Sequence, residues 1–447
     1  MNVKTQSFLV LGVSKSGYAV ADYILKNYGK CFLYEEMQTE KITSSINELV
    51  SRGAVFVSID AVESILPSID VVVISPGIPI NYKIAVRAKE LGKRIVGELE
   101  FGYLNLSPTI IGVTGTNGKT TTVSLIDAIL KEDGKNSFLV GNVGCPLTTE
   151  LDKMQKDAFL VTEVSSFQLE SINAFCPHVA CVLNIAPDHL ERHYTMENYI
   201  FLKKRLLKNL KESEFAILNY DDEIVKGFSS DTRAKIVWVS VKERVDGAYL
   251  NGDTLYYKNQ AIIDVQDLSI GGIHNVYNSL FAIGVCSIYG VKPEVIKSAL
   301  QNFKGVKHRL EFIAEINGVK YVNDSKATNT ASTITAIDSM KSPTILILGG
   351  SEKGEKYDSL FQKIRLSRVK SVVLTGASRY NMLDSASRQG ITEITLTPSF
   401  KNAVEIAHMI AEPNDTVLLS PACASFDSFS DFEQRGETFK QIVESLS

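Results

Sequence analysis

Residues 113–122 read Val-Thr-Gly-Thr-Asn-Gly-Lys-Thr-Thr-Thr, directly after an apolar run at 109–112 and before a stretch whose apolar residues have helical spacing. A strand, a glycine-rich turn and a helix in this order bring backbone N–H groups and a helix N-terminus to phosphate oxygens. Lys119 would neutralise the terminal phosphates, and the Thr120 hydroxyl would ligate Mg²⁺. The stretch therefore predicts a site for a nucleoside triphosphate, and the alternative is a chance glycine turn.

The loop departs from the common pattern G-x-x-x-x-G-K-[ST], because Val113 stands at the first glycine position. In this form it resembles the loop of the ATP-dependent amide ligases of the Mur and folylpolyglutamate synthase superfamily. We expect ATP to contact the residues of the loop and of the helix start, which are Gly115, Thr116, Asn117, Gly118, Lys119, Thr120 and Thr121.

Length and composition describe an ordinary globular chain. At 447 residues, and with roughly 150 residues per domain, we expect about three domains. A net charge of −4 without a basic domain argues against nucleic acid as a partner. No apolar run is long enough for a membrane span, and the six cysteines lack C-x-x-C spacing, so we expect a cytoplasmic protein with reduced thiols.

The first hundred residues alternate unbroken apolar strands with helical patterns, which is typical of a parallel sheet covered on both faces. The turn Gly12-Val13-Ser14-Lys15-Ser16-Gly17 lacks the middle glycine of G-x-G-x-x-G, so a plain helix-opening turn is about as good a reading as a nucleotide site. Glu35 ends the second strand, where a carboxylate could hold a ribose hydroxyl, and Ser75-Pro76-Gly77 ends a later strand. Both features could equally be a turn and a solvated acid.

The remaining strand patterns complete a three-domain α/β chain. The prediction is a Rossmann-like N-terminal domain at 1–97, a central P-loop ATPase-like domain with a mostly parallel sheet at 98–304, and a C-terminal Rossmann-like α/β domain at 305–447.

Two strand ends beside the phosphate loop carry candidate metal ligands. Glu163 ends a buried-type strand, and one carboxylate with Thr120 and ATP oxygens would suffice for Mg²⁺. A structural carboxylate is the alternative reading. His189 and His193 have i, i+4 spacing without the H-E-x-x-H pattern, so a zinc protease is rejected. On its own, His189 reads as a surface histidine at a strand end.

Six blocks along the whole chain resemble the Mur ligases, and three of them resemble the D-glutamate-adding branch. The glycine loop Gly115-Thr116-Asn117-Gly118-Lys119 alone is shared by the superfamily, and His274-Asn275-Val276-Tyr277-Asn278 and His308-Arg309-Leu310-Glu311 follow it in the order found in the family. The three typical of the branch are Ser165-Ser166-Phe167-Gln168-Leu169-Glu170, Asn323-Asp324-Ser325-Lys326-Ala327-Thr328-Asn329 and Ser420-Pro421-Ala422-Cys423-Ala424-Ser425-Phe426-Asp427. The resemblance implies an ATP-dependent ligase that adds D-glutamate to UDP-N-acetylmuramoyl-L-alanine in peptidoglycan synthesis, through an acyl phosphate and a tetrahedral intermediate.

The resemblance also implies roles for individual residues. Lys119 and Arg309 would contact the ATP phosphates, and Asn278 and Asp324 the base and ribose regions. Thr120 and Glu163 would hold a first Mg²⁺, while His189 and a carbamylated lysine would hold a second. The spacing Glu-Asn-Tyr-x-x-x-Lys points to Lys203, but its neighbour Lys204 and a plain helix-face lysine remain open. Lys119, Glu163, His189 and Lys203 form the expected catalytic set.

For the two substrates, the resemblance implies separate residue sets. D-Glutamate would meet Lys326, Thr328, Lys353, Ser425, Phe426 and Phe432, and Asn142 with His189 would face the reacting carboxylate. The UDP group would lie on Ser14, Lys15, Ser16, Gly17, Glu35, Ser75 and Gly77. The sequence departs from the family here, since Lys15 replaces an apolar residue and Glu36-Met37 lacks the Thr-Arg pair of some members. We expect the enzyme to act as a monomer.

Four other functions are weighed against this one. A sister ligase would take another amino acid, and a folylpolyglutamate synthase would lack the hundred residues that precede the phosphate loop. A nicotinamide-dependent oxidoreductase would need the full glycine fingerprint in the first domain. A non-catalytic regulator would bind ATP without amino-acid-dependent release of phosphate.

Overall fold

The computed structural model describes residues 6–105, 108–151, 155, 157–352 and 356–446. Within these residues the chain forms three mostly parallel sheets with helices between the strands. The α/β fold class predicted from the sequence, with mostly parallel sheets, is confirmed. The chain divides into two compact units, of which the first holds residues 1–268 and 275–303 and the second holds residues 269–274 and 304–447. The division into three domains stays a prediction.

The first sheet has five parallel strands in the order β3-β2-β1-β4-β5. Its elements are β1 (Ser7–Leu11), α1 (Lys15–Asn27), β2 (Lys30–Tyr34), α2 (Glu40–Ser51), β3 (Val55–Phe56), α3 (Ile59–Ile65), β4 (Val71–Ile74), α4 (Lys83–Glu90), β5 (Arg94–Gly97) and α5 (Glu98–Leu104). Apolar side chains are buried on both faces of the sheet, which explains why its strands read as unbroken runs.

The second sheet has nine strands in the order β14-β13-β12-β11-β10-β9-β6-β8-β7. Its strands are β6 (Thr109–Thr114), β7 (Ser137–Gly141), β8 (Phe159–Glu163), β9 (Val179–Val182), β10 (Phe215–Asn219), β11 (Lys235–Ser240), β12 (Gly247–Asn251), β13 (Thr254–Tyr257) and β14 (Gln260–Asp264). The accompanying helices are α6 (Lys119–Glu132), α7 (Ser166–Glu170), α8 (Leu190–His193), α9 (Met196–Lys204), α10 (Glu223–Gly227), α11 (Ile273–Ile288) and α12 (Pro293–Asn302).

Strands β6 and β8 lie side by side and parallel, so their carboxyl ends meet at one edge. The antiparallel pairs β12/β13 and β13/β14 were missed by the sequence analysis. Asn251 pairs with Thr254, so the hairpin loop is Gly252-Asp253, with Gly252 at φ +58°, and a glycine followed by an aspartate is a hairpin signal that could have revealed the first pair.

The third sheet has six strands in the order β15-β16-β20-β17-β18-β19, and only its β15/β16 edge is antiparallel. Its elements are β15 (Glu311–Ile316), β16 (Val319–Asn323), α13 (Thr330–Asp338), β17 (Thr344–Gly349), α14 (Asp358–Arg365), β18 (Val369–Thr375), α15 (Arg379–Arg388), β19 (Ile394–Leu396), α16 (Phe400–Ile410), β20 (Thr416–Leu419) and α17 (Phe432–Glu444). Cores lie on both of its faces. Among all described residues, no helix is long and apolar enough to cross a membrane.

Candidate active site

The phosphate loop joins β6 to α6, as the sequence predicts, and its two glycines are sterically required. Gly115 has φ +151° and Gly118 has φ +86°, and both values lie in the region that side chains disfavour. A Cβ on Gly115 would lie 2.9 Å from the Cβ of Leu183, and one on Gly118 would lie 2.4 Å from Oδ1 of Asn278. Any side chain at either position would therefore displace the loop or its neighbours.

Asn184, at the end of the neighbouring strand, holds the first half of the loop. Its backbone carbonyl accepts from the N–H of Thr116 at 3.0 Å, and its side-chain oxygen accepts from the N–H of Asn117 at 2.8 Å. These two N–H groups therefore hold the loop in shape, and contact of the loop residues with ATP stays a prediction. Lys119 folds back over the loop and donates to the carbonyls of Gly115 (2.8 Å) and Thr116 (2.7 Å).

Glu163 lies at the carboxyl end of β8, beside the start of α6. The Thr120 hydroxyl donates to its Oε2 at 2.7 Å, and the Asn142 side-chain amide donates to its Oε1 at 2.7 Å. The carboxylate is almost fully buried. No group of three or more His, Cys, Asp or Glu side chains among the described residues is arranged as a metal site. A Mg²⁺ ion that uses one carboxylate, one hydroxyl and phosphate oxygens nevertheless fits this donor pair.

Lys203 is 2% exposed, and its amine lies directly behind the phosphate loop. It donates to the Gly115 carbonyl at 2.9 Å and to the Thr114 hydroxyl at 3.2 Å. Burial holds the pKa of this amine well below its usual range, and the positive charge of Lys119 lowers it further. Lys204 points away and forms an ion pair with Asp231 at 3.1 Å. Of the two lysines left open by the sequence, only Lys203 reaches the loop.

His189 begins the short helix α8 with an unusual backbone conformation, at φ +53°. Its ring packs on Phe167 with a centroid distance of 4.9 Å, and its two nitrogens lie 3.7 Å from Asp188 and 3.4 Å from Glu191. His193 is buried instead, with Nε2 2.9 Å from the Ser166 hydroxyl. The two histidines that share i, i+4 spacing therefore do not converge on one hydrogen-bond partner.

The predicted UDP site at the first sheet is more open. Gly17 is required, because a Cβ there would lie 1.7 Å from the Gly12 carbonyl oxygen. The Ser75 hydroxyl donates to the same carbonyl at 2.8 Å and joins the turn after β4 to the turn before α1. Ser14 and Lys15 are exposed, and Ser16 is half-buried. The Lys15 amine donates to the carbonyl of Gly144 at 2.7 Å.

Both carboxylate oxygens of Glu35 accept hydrogen bonds from backbone N–H groups nearby. Oε2 accepts from the N–H of Val13 at 2.8 Å, and Oε1 accepts from the N–H of Met37 at 3.0 Å. The carboxylate therefore fixes the turn before α1, which is the turn that the sequence assigns to UDP. Gly77 is exposed, with open space where a Cβ would lie.

The second unit holds the remaining predicted residues. Asp324 is buried at the end of β16, where Ser420 donates to its Oδ2 at 2.8 Å and the N–H of Leu310 donates to its Oδ1 at 3.2 Å. Burial raises the pKa of this carboxyl to about 6, against the opposing effect of Arg309. Arg309 is thus close enough to lower the pKa of Asp324, and the roles of both residues in a nucleotide site stay predictions.

A buried arginine that the sequence analysis missed holds the predicted D-glutamate segments together. Arg435 is 2% exposed and donates to the Ser325 hydroxyl (2.9 Å) and to the backbone carbonyls of Ser325 (2.8 Å), Cys423 (3.0 Å) and Ala424 (3.3 Å). Burial lowers the pKa of this guanidinium to about 10. Its signal in the sequence was the block Phe432-Glu433-Gln434-Arg435-Gly436, but a helical arginine usually faces solvent.

The predicted D-glutamate residues differ in exposure. Ser425 is buried, Phe426 is 71% exposed, and Thr328 is half-buried. Lys326 lies with its amine 4.9 Å from the centre of the Phe432 ring. Lys353 lies outside the described residues.

Two family descriptions match the chain. The Mur ligase middle domain matches residues 113–286, and the Mur ligase glutamate ligase domain matches residues 308–423. Two curated relatives carry the name UDP-N-acetylmuramoylalanine–D-glutamate ligase. The protein from Clostridioides difficile (strain 630) is 39% identical, and the one from Thermoanaerobacter sp. (strain X514) is 38% identical. Both alignments cover 100% of this chain and 100% of the relative.

Solved structures share the fold at lower identity. UDP-N-acetylmuramate-alanine ligase from Thermotoga maritima aligns with a TM-score of 0.66 at 18% identity, over 99% of this chain and 100% of that one. MurF from Acinetobacter baumannii aligns with a TM-score of 0.65 at 16% identity, over 98% of this chain and 93% of that one.

Proposed function

This chain belongs to the family of the UDP-N-acetylmuramoylalanine–D-glutamate ligases, and from that premise we propose that it uses ATP to join D-glutamate to UDP-N-acetylmuramoyl-L-alanine. The product would serve peptidoglycan synthesis. The observation that carries the proposal within the structure is the meeting of Lys119, Thr120, Glu163 and Lys203 around one glycine loop. This is the arrangement of cations and oxygen ligands that transfer of a phosphoryl group needs.

In the first step, the carboxylate of the muramoyl alanine would attack the γ-phosphorus of ATP. The bond between that phosphorus and the β,γ-bridging oxygen breaks, and ADP and an acyl phosphate form. Lys119 supports this step, because its amine already reaches across the loop that would hold the phosphates. Asn142, which orients Glu163, would lie beside the reacting carboxylate.

In the second step, the amine of D-glutamate would attack the acyl carbon to form a tetrahedral intermediate. The intermediate loses a proton and releases phosphate as the amide forms. The residues proposed to hold the D-glutamate carboxylates are Lys326, Thr328, Lys353, Ser425, Phe426 and Phe432. Arg435 would keep the segments that carry Ser425 and Lys326 in register, since it bonds to residues beside both.

Two divalent cations are part of the proposal. Thr120 and Glu163 would hold one, and His189 with a carbamate on Lys203 would hold the other. When bound, these ions would neutralise the charge on the transferring phosphate. The Lys203 amine suits carbamylation, because a lysine whose pKa is depressed carries a nucleophilic neutral amine that can add to carbon dioxide with loss of a proton. Arg309 would contact the phosphates of ATP, and Asn278 and Asp324 would contact its base and ribose regions.

Amide formation tests the proposal directly. Purified protein would receive UDP-N-acetylmuramoyl-L-alanine, ATP, Mg²⁺ and single D- or L-amino acids, with the product identified by mass and the phosphate measured. We expect ADP, phosphate and amide in equal amounts with D-glutamate alone. Turnover with another amino acid would establish a sister ligase, and phosphate release without amide would refute the ligase. Action as a monomer in the cytoplasm stays a prediction, which sedimentation and fractionation would test.

A further inference from the structure

Arg192, on α8 three residues after His189, makes five contacts that none of the proposed steps uses. Its Nε and one terminal nitrogen donate to the two carboxylate oxygens of Glu170, at 3.0 and 2.7 Å. Its terminal nitrogens also donate to the backbone carbonyls of Gly77, at 3.3 Å, and Ile78, at 3.1 Å. The guanidinium carbon lies 5.1 Å from the centre of the Phe167 ring.

The pairing with Glu170 is stronger than an ordinary surface ion pair. The geometry is the two-pronged one in which a planar guanidinium meets both oxygens of a carboxylate. The side chains of Arg192 and Glu170 are only 16% and 11% exposed. Because partial burial reduces solvent screening, the pair resists exchange with water better than an exposed pair does.

The carbonyl contacts join α8 to the first sheet. Gly77 and Ile78 belong to the turn after β4, which the Ser75 hydroxyl joins to the Gly12 carbonyl at the turn before α1. Both turns lie in the region proposed to bind the UDP group. Arg192 therefore connects the nucleotide-sugar site to a helix of the ATP-binding sheet through its own side chain.

Arg192 also affects His189 through a shared neighbour. The Phe167 ring packs against the Arg192 guanidinium and also against the His189 imidazole, whose ring centre lies 4.9 Å from that of Phe167. Glu170, the partner of Arg192, lies on the same helix α7 as Phe167 and approaches buried His193 at 3.5 Å. A shift of Arg192 would move both the ring that supports His189 and the short helix that His189 begins.

We propose that Arg192 is a positioning residue that couples the turn at Gly77 and Ile78 to His189, so that the proposed nucleotide-sugar site and the His189 side chain are held in one geometry. The role rests on the proposed ligase function. Its consequence is specific: loss of Arg192 weakens the binding of UDP-N-acetylmuramoyl-L-alanine and slows turnover, while ATP binds as before. The effect arises because Arg192 bonds to the sugar-side turn and to α7, and not to the glycine loop.

The test compares Arg192→Ala with Arg87→Ala, whose exposed pair with Glu90 serves as the matched control. For Arg192→Ala we expect KM for the muramoyl nucleotide to rise about 10-fold and kcat to fall about 10-fold, because small misplacements of this kind reduce rates strongly. KM for ATP should change less than about 2-fold, and Arg87→Ala should match wild type. Titration calorimetry with the muramoyl nucleotide alone gives the same binding loss without turnover.

Two further variants separate positioning from general stability. Glu170→Gln should show the same selective rise in KM for the muramoyl nucleotide. The double variant Arg192→Ala/Glu170→Gln should lose no more activity than the more impaired of the two single variants, because both residues act through one pair. Additive losses, equal losses for ATP and nucleotide-sugar, or wild-type values in Arg192→Ala would overturn the inference while wild type still forms amide. Failure of wild type to form amide would instead refute the ligase function.

Discussion

The phosphate loop at 115–118 and the turn at 12–17 are both glycine turns between a strand and a helix, but their packing differs. In the phosphate loop, both glycines have positive φ and a Cβ at either would clash with a neighbouring strand or helix. In the turn before α1, Gly12 and Gly17 are equally tight, but Ser14 and Lys15 between them are exposed. A loop whose first half is buried and whose glycines face neighbouring side chains constrains its residues strongly, and the exposed residues of the other turn are freer to vary.

The two turns also differ in the side chains that form hydrogen bonds around them. In the phosphate loop, Lys119, Thr120 and Lys203 each bond to atoms of the loop or of Glu163. In the turn before α1, the side chains of Glu35 and Ser75 form hydrogen bonds to the backbone of the turn and stabilise it. Substitutions should therefore have large effects in the first region and small ones in the second.

The largest effect is expected for Lys119→Ala. Removing this cation from the proposed phosphate site should lower kcat by about 10³-fold, the upper range for loss of one charge-stabilising group. Glu163→Ala should be similarly inactive. Steady-state release of phosphate measures the loss, and circular dichroism shows whether the fold is kept. Activity within tenfold of wild type would remove Lys119 from the chemistry and weaken the contrast between the two turns.

Lys203→Ala should come next, with a loss of about 100-fold, as for other changes at metal-supporting positions. Acetate should restore part of the activity, since a small carboxylate can occupy the place of the proposed carbamate. Lys204→Ala is the matched control, because its partly exposed ion pair contributes little. Full activity of Lys203→Ala in a buffer free of carbon dioxide would exclude the carbamate.

The depressed pKa of Lys203 also predicts a pH dependence of stability that needs no turnover. The unfolded chain keeps this amine protonated up to its ordinary pKa of 10.5, and the folded chain holds fewer protons there. Since stability rises with pH wherever the unfolded state binds more protons, wild type should gain stability relative to Lys203→Met between neutral pH and about pH 10. Thermal unfolding in carbonate-free buffer measures the difference in stability between wild type and Lys203→Met. A difference that does not change with pH would contradict the lowered pKa of Lys203.

Gly118→Ala should weaken ATP binding by roughly 10- to 100-fold, because a side chain at a strained φ costs about 1–3 kcal/mol. The added Cβ would also meet the side-chain oxygen of Asn278 at 2.4 Å. Gly227→Ala is the control, since nothing lies within 4 Å of a Cβ there, and it should leave ATP binding unchanged. Equal affinities for Gly118→Ala and wild type would show that the loop is more adaptable than its packing suggests.

The smallest effect is expected for Lys15→Ala. Its exposed amine bonds to one carbonyl, so KM for the nucleotide-sugar should rise by about 5-fold or less, in line with the modest energy of exposed charges. KM for ATP should not change. A loss as large as that of Lys119→Ala would reverse the comparison and make the turn before α1 the more constrained site.

Local patterns predicted most of the sheets and the phosphate loop. Unbroken Val, Ile and Leu runs identified the parallel strands, because such strands are buried on both faces. The antiparallel edge β12–β14 was missed, because its strands are short and mix apolar with polar residues, so they lack the unbroken apolar runs of the parallel strands. The spacing pointed to Lys203 but left Lys204 open, since adjacent residues on one helix differ only in what surrounds them.

The sequence by itself determined the α/β class, the loop chemistry and the family, because each depends on residue types at short, fixed spacings. Only the tertiary structure decided which charged side chains are buried and what they hold. Lys203 reaches a loop 88 residues away, Arg192 a turn 115 residues away, and Arg435 two segments of its own unit. Such contacts depend on how sheets and helices pack, and they cannot be predicted from the spacing of residues along the chain.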